Sequence, residues 1–162
     1  MTRRWSLLWA VVIALAVFVV DQGTKSLVEG SMRVGESIGL VPGFLRLTYI
    51  KNDGGAFGLL GGSRGLLLVG SAIAVVVVLW LLLSGRPTKL ATFGGGLILG
   101  GAAGNLLDRL GSGEVTDYVH FSFWYIFNAA DAAIVSGVGL LLLSALWPGS
   151  SLRGSAPKSE DG

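Results

Sequence analysis

The sequence predicts an α-helical membrane protein, with four transmembrane helices and a small extracytoplasmic β-sheet element in the first outer loop. Three observations lead to that fold class. Of the 162 residues, 52% are hydrophobic and only 14% are charged, whereas soluble domains carry about a quarter charged residues. The mean hydropathy is +0.71. The apolar residues also gather in blocks rather than at amphipathic spacing, and a helix apolar on every side needs an apolar surrounding.

Four blocks approach the ~20 residues that a helix needs to cross the hydrocarbon core. The first spans residues 5–20, Trp5 to Val20. Arg3 and Arg4 before it also fit a cleaved signal peptide. Asp21-Gln22-Gly23-Thr24-Lys25 lacks a small-x-small cleavage pattern, however, and three more blocks follow, so a retained span is expected. An outer loop, 21–64, comes next, with turn signals at Pro42-Gly43 and Asp53-Gly54-Gly55. Between them, Phe44 to Ile50 roughly alternates apolar and polar residues, as a strand does. The second span is 65–83.

The third span, 90–107, carries Gly94, Gly95, Gly96, Gly100, Gly101 and Gly104. Glycines at such spacing let helices approach closely in lipid, which places this span at the centre of the bundle. The second outer loop, 108–128, holds Tyr118, His120, Phe121, Phe123, Trp124, Tyr125 and Phe127. That aromatic density suits the headgroup level. The fourth span is 129–147, closing a single domain over 1–147. The tail, 148–162, is rich in Ser, Gly, Pro and charge and is expected to be disordered.

The net charge is +2, with twelve Lys and Arg residues scattered singly, without the basic stripe of a nucleic-acid face. With four spans, six of these cations share the side of the termini and six the other, so the count decides nothing. Density decides instead. The short 84–89 turn holds Arg86 and Lys89, and Arg3–Arg4 abut a span, which places the termini in the cytoplasm. The chain has no cysteine and one histidine, so disulfides, thiolate ligands and a cysteine nucleophile are excluded. A zinc site is not expected.

Ionisable and amide groups at span ends are expensive, and each is a functional hypothesis by default. Here they cluster at the outer ends: Asp21 with Lys25, Asn52 with Asp53, Asn105 with Asp108 and Arg109, and Asp117 followed by Asn128 and Asp131. Each also has an ordinary reading. Asp21 and Lys25 are spaced as an i,i+4 helix pair. Asn52 fits a turn, Asn105 to Arg109 a helix end, and His120 an interfacial side chain. Asp131 suits a first helical turn, but that does not account for Asp117 at the same depth. On one straight helix these two carboxylates would stand roughly 21 Å apart. If the chain turns within the aromatic segment, they can face each other and share a proton. One carboxylate would then deprotonate water while the other protonates a carbonyl or leaving amine.

Taken in order, Asp21-Gln22-Gly23-Thr24-Lys25, Asn52-Asp53-Gly54-Gly55-Ala56-Phe57, Gly104-Asn105-Leu106-Leu107-Asp108-Arg109, Gly113 to Tyr118 and Phe127 to Ile134 resemble the lipoprotein signal peptidase (signal peptidase II) family. The likeness covers residues 10 to 147. It implies a bacterial inner-membrane aspartic endopeptidase acting on diacylglyceryl-modified prolipoproteins at the bond before the lipidated cysteine. It further implies catalysis by Asp117 and Asp131, a site lined by Asn52, Asn105, Arg109 and Asn128, and support from Asp21, Lys25 and Asp108. Membrane lipid is the expected surrounding, and the resemblance implies a monomer without cofactor. Gly55 and Tyr118 depart from the family's alanine and phenylalanine, and so bear on substrate positioning. Two other classes compete. A proton-coupled transporter would need polar groups through the cytoplasmic halves of the spans, which are nearly all apolar here. A packing scaffold would leave the Asp and Asn groups without a purpose.

Overall fold

The computed structural model describes residues 2–54, 64–84 and 87–146, with the backbone alone at 64–68. Gly55, Arg86 and the 148–162 tail, on which expectations were stated above, lie outside the described residues.

The first helix, α1 (Arg3–Ser31), is followed by strands β1 (Ser37–Val41) and β2 (Leu45–Asn52). Helix α2 (Arg64–Leu83), helix α3 (Lys89–Gly111), strand β3 (Val115–Phe121) and helix α4 (Ala129–Leu146) complete the described chain. Among the described residues α1, α3 and α4 are each long and apolar enough to cross a membrane. Helix α2 has 20 residues, enough to rise ~30 Å. Over Val69–Leu83 it is a shorter apolar helix, with Ser71 its one hydroxyl side chain.

Side chains such as Leu15, Val76, Trp80, Val135 and Leu142 point outward, more than half exposed. In lipid such exposure costs nothing, because the tails are as apolar as the side chains. The small interior is built by α3, whose apolar window is 56% buried, against 11% for α1 and 17% for α4. Its glycines explain this. A methyl group on Gly96 or Gly100 would run into the α1 backbone at Ala10 and Ala14, and one on Gly101 into that of α4 at Ala130. At the end that carries the termini, Arg3 Nη2 donates to the Leu83 carbonyl at 2.6 Å. Thr88 caps α3 there and bonds Ser144 of α4.

Two features differ from the sequence expectation. Helix α1 does not stop where the apolar block ends but continues to Ser31. Its 29 residues reach ~43 Å, beyond the ~30 Å hydrocarbon core. Asp21 and Lys25 therefore lie within a helix rather than in a loop. The sheet, moreover, is not confined to the first outer loop. β1 and β2 form an antiparallel hairpin, its turn carrying Gly43 at φ 70°. The third strand, β3, comes from the second loop and pairs antiparallel with β2. The β2–β3 register shifts between Leu47 and Ile50, so that Leu47 faces Val119 while Ile50 faces Asp117. Irregularities of this kind re-aim side chains next to functional sites.

Candidate active site

Two consecutive elements, β3 and α4, carry the acidic groups, and the turn between them brings the groups together. After β3 the chain reverses through residues 122–126, and Phe127 pairs back onto Val119. Stacked rings hold the reversal: Phe121 lies 5.7 Å from Phe123 and 6.0 Å from Phe127. The aromatic segment is therefore partly a clamp for this turn, while Phe123, Trp124 and Tyr125 remain exposed.

Immediately after the reversal Asn128 caps α4. Its Oδ1 accepts the Asp131 backbone N–H at 3.0 Å, and Asp131 Oδ2 accepts the Asn128 N–H at 3.3 Å. This is a capping box with an aspartate in the glutamate position, so the ordinary reading of Asp131 as a helix-start residue holds in part. The other side-chain oxygen has a second task, since Asp131 Oδ1 accepts from Asn105 Nδ2 of α3 at 2.8 Å.

Asp117, on β3, is 2% exposed. Asn52 Nδ2 donates to its Oδ2 at 2.8 Å, and Asn128 Nδ2 to its Oδ1 at 2.7 Å. Asn52 reaches it because the two residues lie diagonally on one face of the β2–β3 pair. Burial pushes the Asp117 carboxyl up to about 6, and the negative field of Asp131 adds to the rise. The donors from Asn52 and Asn128 and the Lys25 charge pull against it. The Asp117 carboxyl is thus held well above the usual carboxylate range, as proton-transfer groups commonly are.

Behind this layer lies a second one. Lys25, 3% exposed, places its ammonium 2.7 Å from Asp21 Oδ2, 2.6 Å from Asp108 Oδ2 and 2.9 Å from Asn105 Oδ1. Asp21 is fully buried, and its Oδ1 accepts the Ala130 N–H of the α4 first turn at 3.0 Å. Gly104 makes the approach possible, because a methyl group there would collide with the Asp21 carboxylate. The i,i+4 pair of Asp21 and Lys25 therefore forms, but buried against α3 and α4 rather than on an exposed helix face. Arg109 is half-buried, and its charge acts on Asp131.

Among the described residues the structure thus gathers Asp117, Asp131, Asn52, Asn105 and Asn128 into one hydrogen-bonded cluster, with Asp21, Lys25 and Asp108 directly behind Asn105. No group of three or more His, Cys, Asp or Glu residues there is arranged to hold a metal ion.

Several contributors escaped the sequence reading. Gln22 Nε2 lies 3.0 Å from Asp108 Oδ1 and 3.2 Å from Asp21 Oδ2. Its place inside the Asp21–Lys25 motif was the available signal. Glu29, Lys51 and Thr116 form a three-way contact joining α1 to both β2 and β3, with Lys51 Nζ 2.6 Å from Glu29 Oε1 and 2.9 Å from Thr116 Oγ1. Nothing in sequence spacing pairs these three. Tyr118 directs its hydroxyl at Thr24 Oγ1 of α1, 2.7 Å away, and so fastens the strand to the helix. His120 bonds Thr48 at 3.0 Å. It lines an open groove of about 400 Å³ running beside Asn52, Asp53, Trp124 and Tyr125.

The model of the Signal peptidase (SPase) II family matches residues 13–147. The chain is 44% identical over 139 residues to a lipoprotein signal peptidase of Halothermothrix orenii, an alignment covering 84% of this chain and 93% of that one. A lipoprotein signal peptidase of Brevibacillus brevis is 38% identical over 149 residues, 90% of this chain and 100% of its own. The fold superposes on a solved bacterial membrane enzyme, determined by the in meso method at 2.3 Å resolution, with TM-score 0.79 and 28% identity over 92% of this chain and 94% of that chain.

Proposed function

The chain belongs to the signal peptidase II family, and from that premise we propose that it hydrolyses prolipoproteins at the bond before a diacylglyceryl-modified cysteine, with Asp117 and Asp131 as an aspartic pair. The observation that carries this reading is that one residue, Asn128, holds two carboxylates, its side-chain Nδ2 donating to Asp117 of β3 and its backbone N–H to Asp131 of α4.

Two carboxylates joined through one network of amides, each within the other's field, share one proton and titrate as a unit. The ionised member takes a proton from water as the water oxygen attacks the scissile carbonyl carbon. The protonated member gives its proton to the carbonyl oxygen, forming a tetrahedral diol. On collapse the C–N bond breaks, the nitrogen of the lipidated cysteine leaves as an amine carrying the proton taken from water, and one diol hydroxyl returns its proton to the aspartate that had protonated the carbonyl oxygen. Asn52, Asn105 and Asn128 hold the carboxylates in register through N–H donors, and Arg109 adds positive charge beside the developing oxyanion.

The location fits such a substrate. The pair sits at the end of the bundle where α1 rises past the lipid and the sheet begins, so a signal helix and acyl chains stay in lipid while water arrives from the sheet side. The groove beside Asn52 and His120 suits the polypeptide emerging from the membrane. We place the protein in the bacterial inner membrane, with both termini cytoplasmic, the site at the outer face, and a monomer as the working form.

The decisive experiment is cleavage of a diacylglyceryl-modified prolipoprotein by the purified protein and by Asp117→Asn and Asp131→Asn. The parent cleaves before the modified cysteine, and each folded variant loses roughly 10⁴-fold in kcat. Near-parent activity in either variant refutes the pair.

A further inference from the structure

We propose that Lys25 is a positioning residue for the carboxylate pair: it dictates which way round the Asn105 amide faces, and through Asn105 it sets the Asn128 amide as well. The inference rests on the reading of Asp117 and Asp131 as the working pair, and concerns how that pair is met by N–H donors rather than by carbonyl oxygens.

An asparagine amide can turn over, exchanging its oxygen for its NH₂ at nearly no steric cost, and its orientation follows from its partners. An ammonium resolves that ambiguity, because it donates only. Lys25 Nζ lies 2.9 Å from one end of the Asn105 amide, so that end is the oxygen. The other end is then Nδ2, which donates to Asp131 Oδ1 at 2.8 Å. The same Asn105 oxygen accepts from Asn128 Nδ2 at 3.1 Å. That obliges Asn128 to present its NH₂ group to Asp117 and its side-chain oxygen to the Asp131 N–H of α4. One cation thus sets the polarity of two amides and of the contacts to both aspartates.

Lys25 itself touches neither aspartate of the pair among its hydrogen bonds and ion pairs. The charged groups facing it are Asp21 from its own helix and Asp108 from α3. Its charge is also felt by Asp117 on β3 and by Asp131 on α4. Gln22 holds both flanking carboxylates toward it. A tie between α1 and α3 would need one carboxylate partner. The third N–H, spent on an amide oxygen, is what links Lys25 to the pair.

The test is a double-mutant cycle on prolipoprotein cleavage between Lys25→Met and Asn105→Leu, with kcat, KM and pH profile measured for each purified variant. In the parent background Lys25→Met lowers kcat by roughly 30-fold with KM changed by less than about 3-fold. It also moves the acidic limb of the profile to higher pH, because the cation that lowers the Asp117 carboxyl is gone. In the Asn105→Leu background the same change costs less than about 3-fold, since the amide it acted on is absent. Equal losses in the two backgrounds overturn the proposal, even with Asp117→Asn and Asp131→Asn inactive, so the pair can stand while the positioning role falls. Should Lys25→Met not fold, the same cycle is run with Lys25→Gln, whose amide can offer Asn105 either an N–H or an oxygen. A kcat loss of roughly 10-fold or more that shrinks below about 3-fold in the Asn105→Leu background supports the proposal, and equal losses in the two backgrounds overturn it.

Discussion

Asp117 differs from an exposed aspartate because its folded-state pKa is raised from 3.8 to about 6. Unfolded, the group loses its proton near the lower value. Between about pH 4 and 6 the native protein therefore holds a proton that the unfolded chain has released, and stability falls as pH rises through that window. The loss approaches roughly 3 kcal/mol and is complete above about pH 6. Thermal unfolding in detergent from pH 4 to 7.5 should show this slope, and Asp117→Asn should flatten it whatever that variant's absolute stability. The next residue acts differently. Tyr118 is 7% exposed, and its hydroxyl is spent on Thr24, so Tyr118→Phe should cost about 1 kcal/mol of stability and leave the ring packing in place. Much of this scale was legible beforehand. The spacing of Asp21 and Lys25 and the position of Asp131 before an apolar block were local signals. The Glu29–Lys51–Thr116 contact was not legible, since its members come from three elements and no spacing in the chain links them.

Among the elements, α3 shows most directly how composition becomes geometry. Glycine weakens a helix, by roughly 0.5–1 kcal/mol relative to alanine, and the compensation here is close helix contact. Gly104→Ala and Gly139→Ala separate the two effects. At Gly104 a methyl group meets the Asp21 carboxylate, which Lys25, Gln22 and the Ala130 N–H already hold. At Gly139 it meets nothing within 4 Å. Gly104→Ala is expected to lower stability by about 2 kcal/mol and to impair cleavage, whereas Gly139→Ala should be neutral or stabilising by about 0.5 kcal/mol. Unfolding curves and cleavage rates for the two variants check this. The central place of α3 could be read from its glycines. Strand β3 could not, although Val115, Thr116, Tyr118, Val119 and Phe121 are good strand formers. Its pairing partner lies some 65 residues earlier in the chain, and the density of aromatic residues pointed to the headgroup region instead.

For the whole molecule, the exposed belt of Leu, Val and Trp side chains requires lipid or detergent around it. The protein should remain in the membrane pellet through an alkaline wash and be released by detergent, and recovery in the wash would contradict the four-span fold. A reporter fused to the C-terminus should be active only if it is a cytoplasmic one, which checks the placement of both termini. The polar clusters collect at one end because α1, α3 and α4 each turn their polar residues to the same depth, a convergence the alternating direction of the helices permits.

By itself the sequence determined the chemistry available and the solvent in which it works. Its apolar blocks can be buried only in lipid, its acidic and amide residues sit at block ends, and it has no thiol to offer. Those properties are local in the chain and survive any arrangement of the helices. The tertiary structure alone decided how far α1 runs, because hydropathy reports where lipid ends while a helix continues as long as its backbone bonds do. It also decided that β3 joins the hairpin, that the aromatic turn folds Asp117 back beside Asp131, and that Lys25 is buried against Asn105. Each of these depends on residues distant in sequence meeting in space, where the cost of burying a charge or an amide is offset only by a partner that another element supplies.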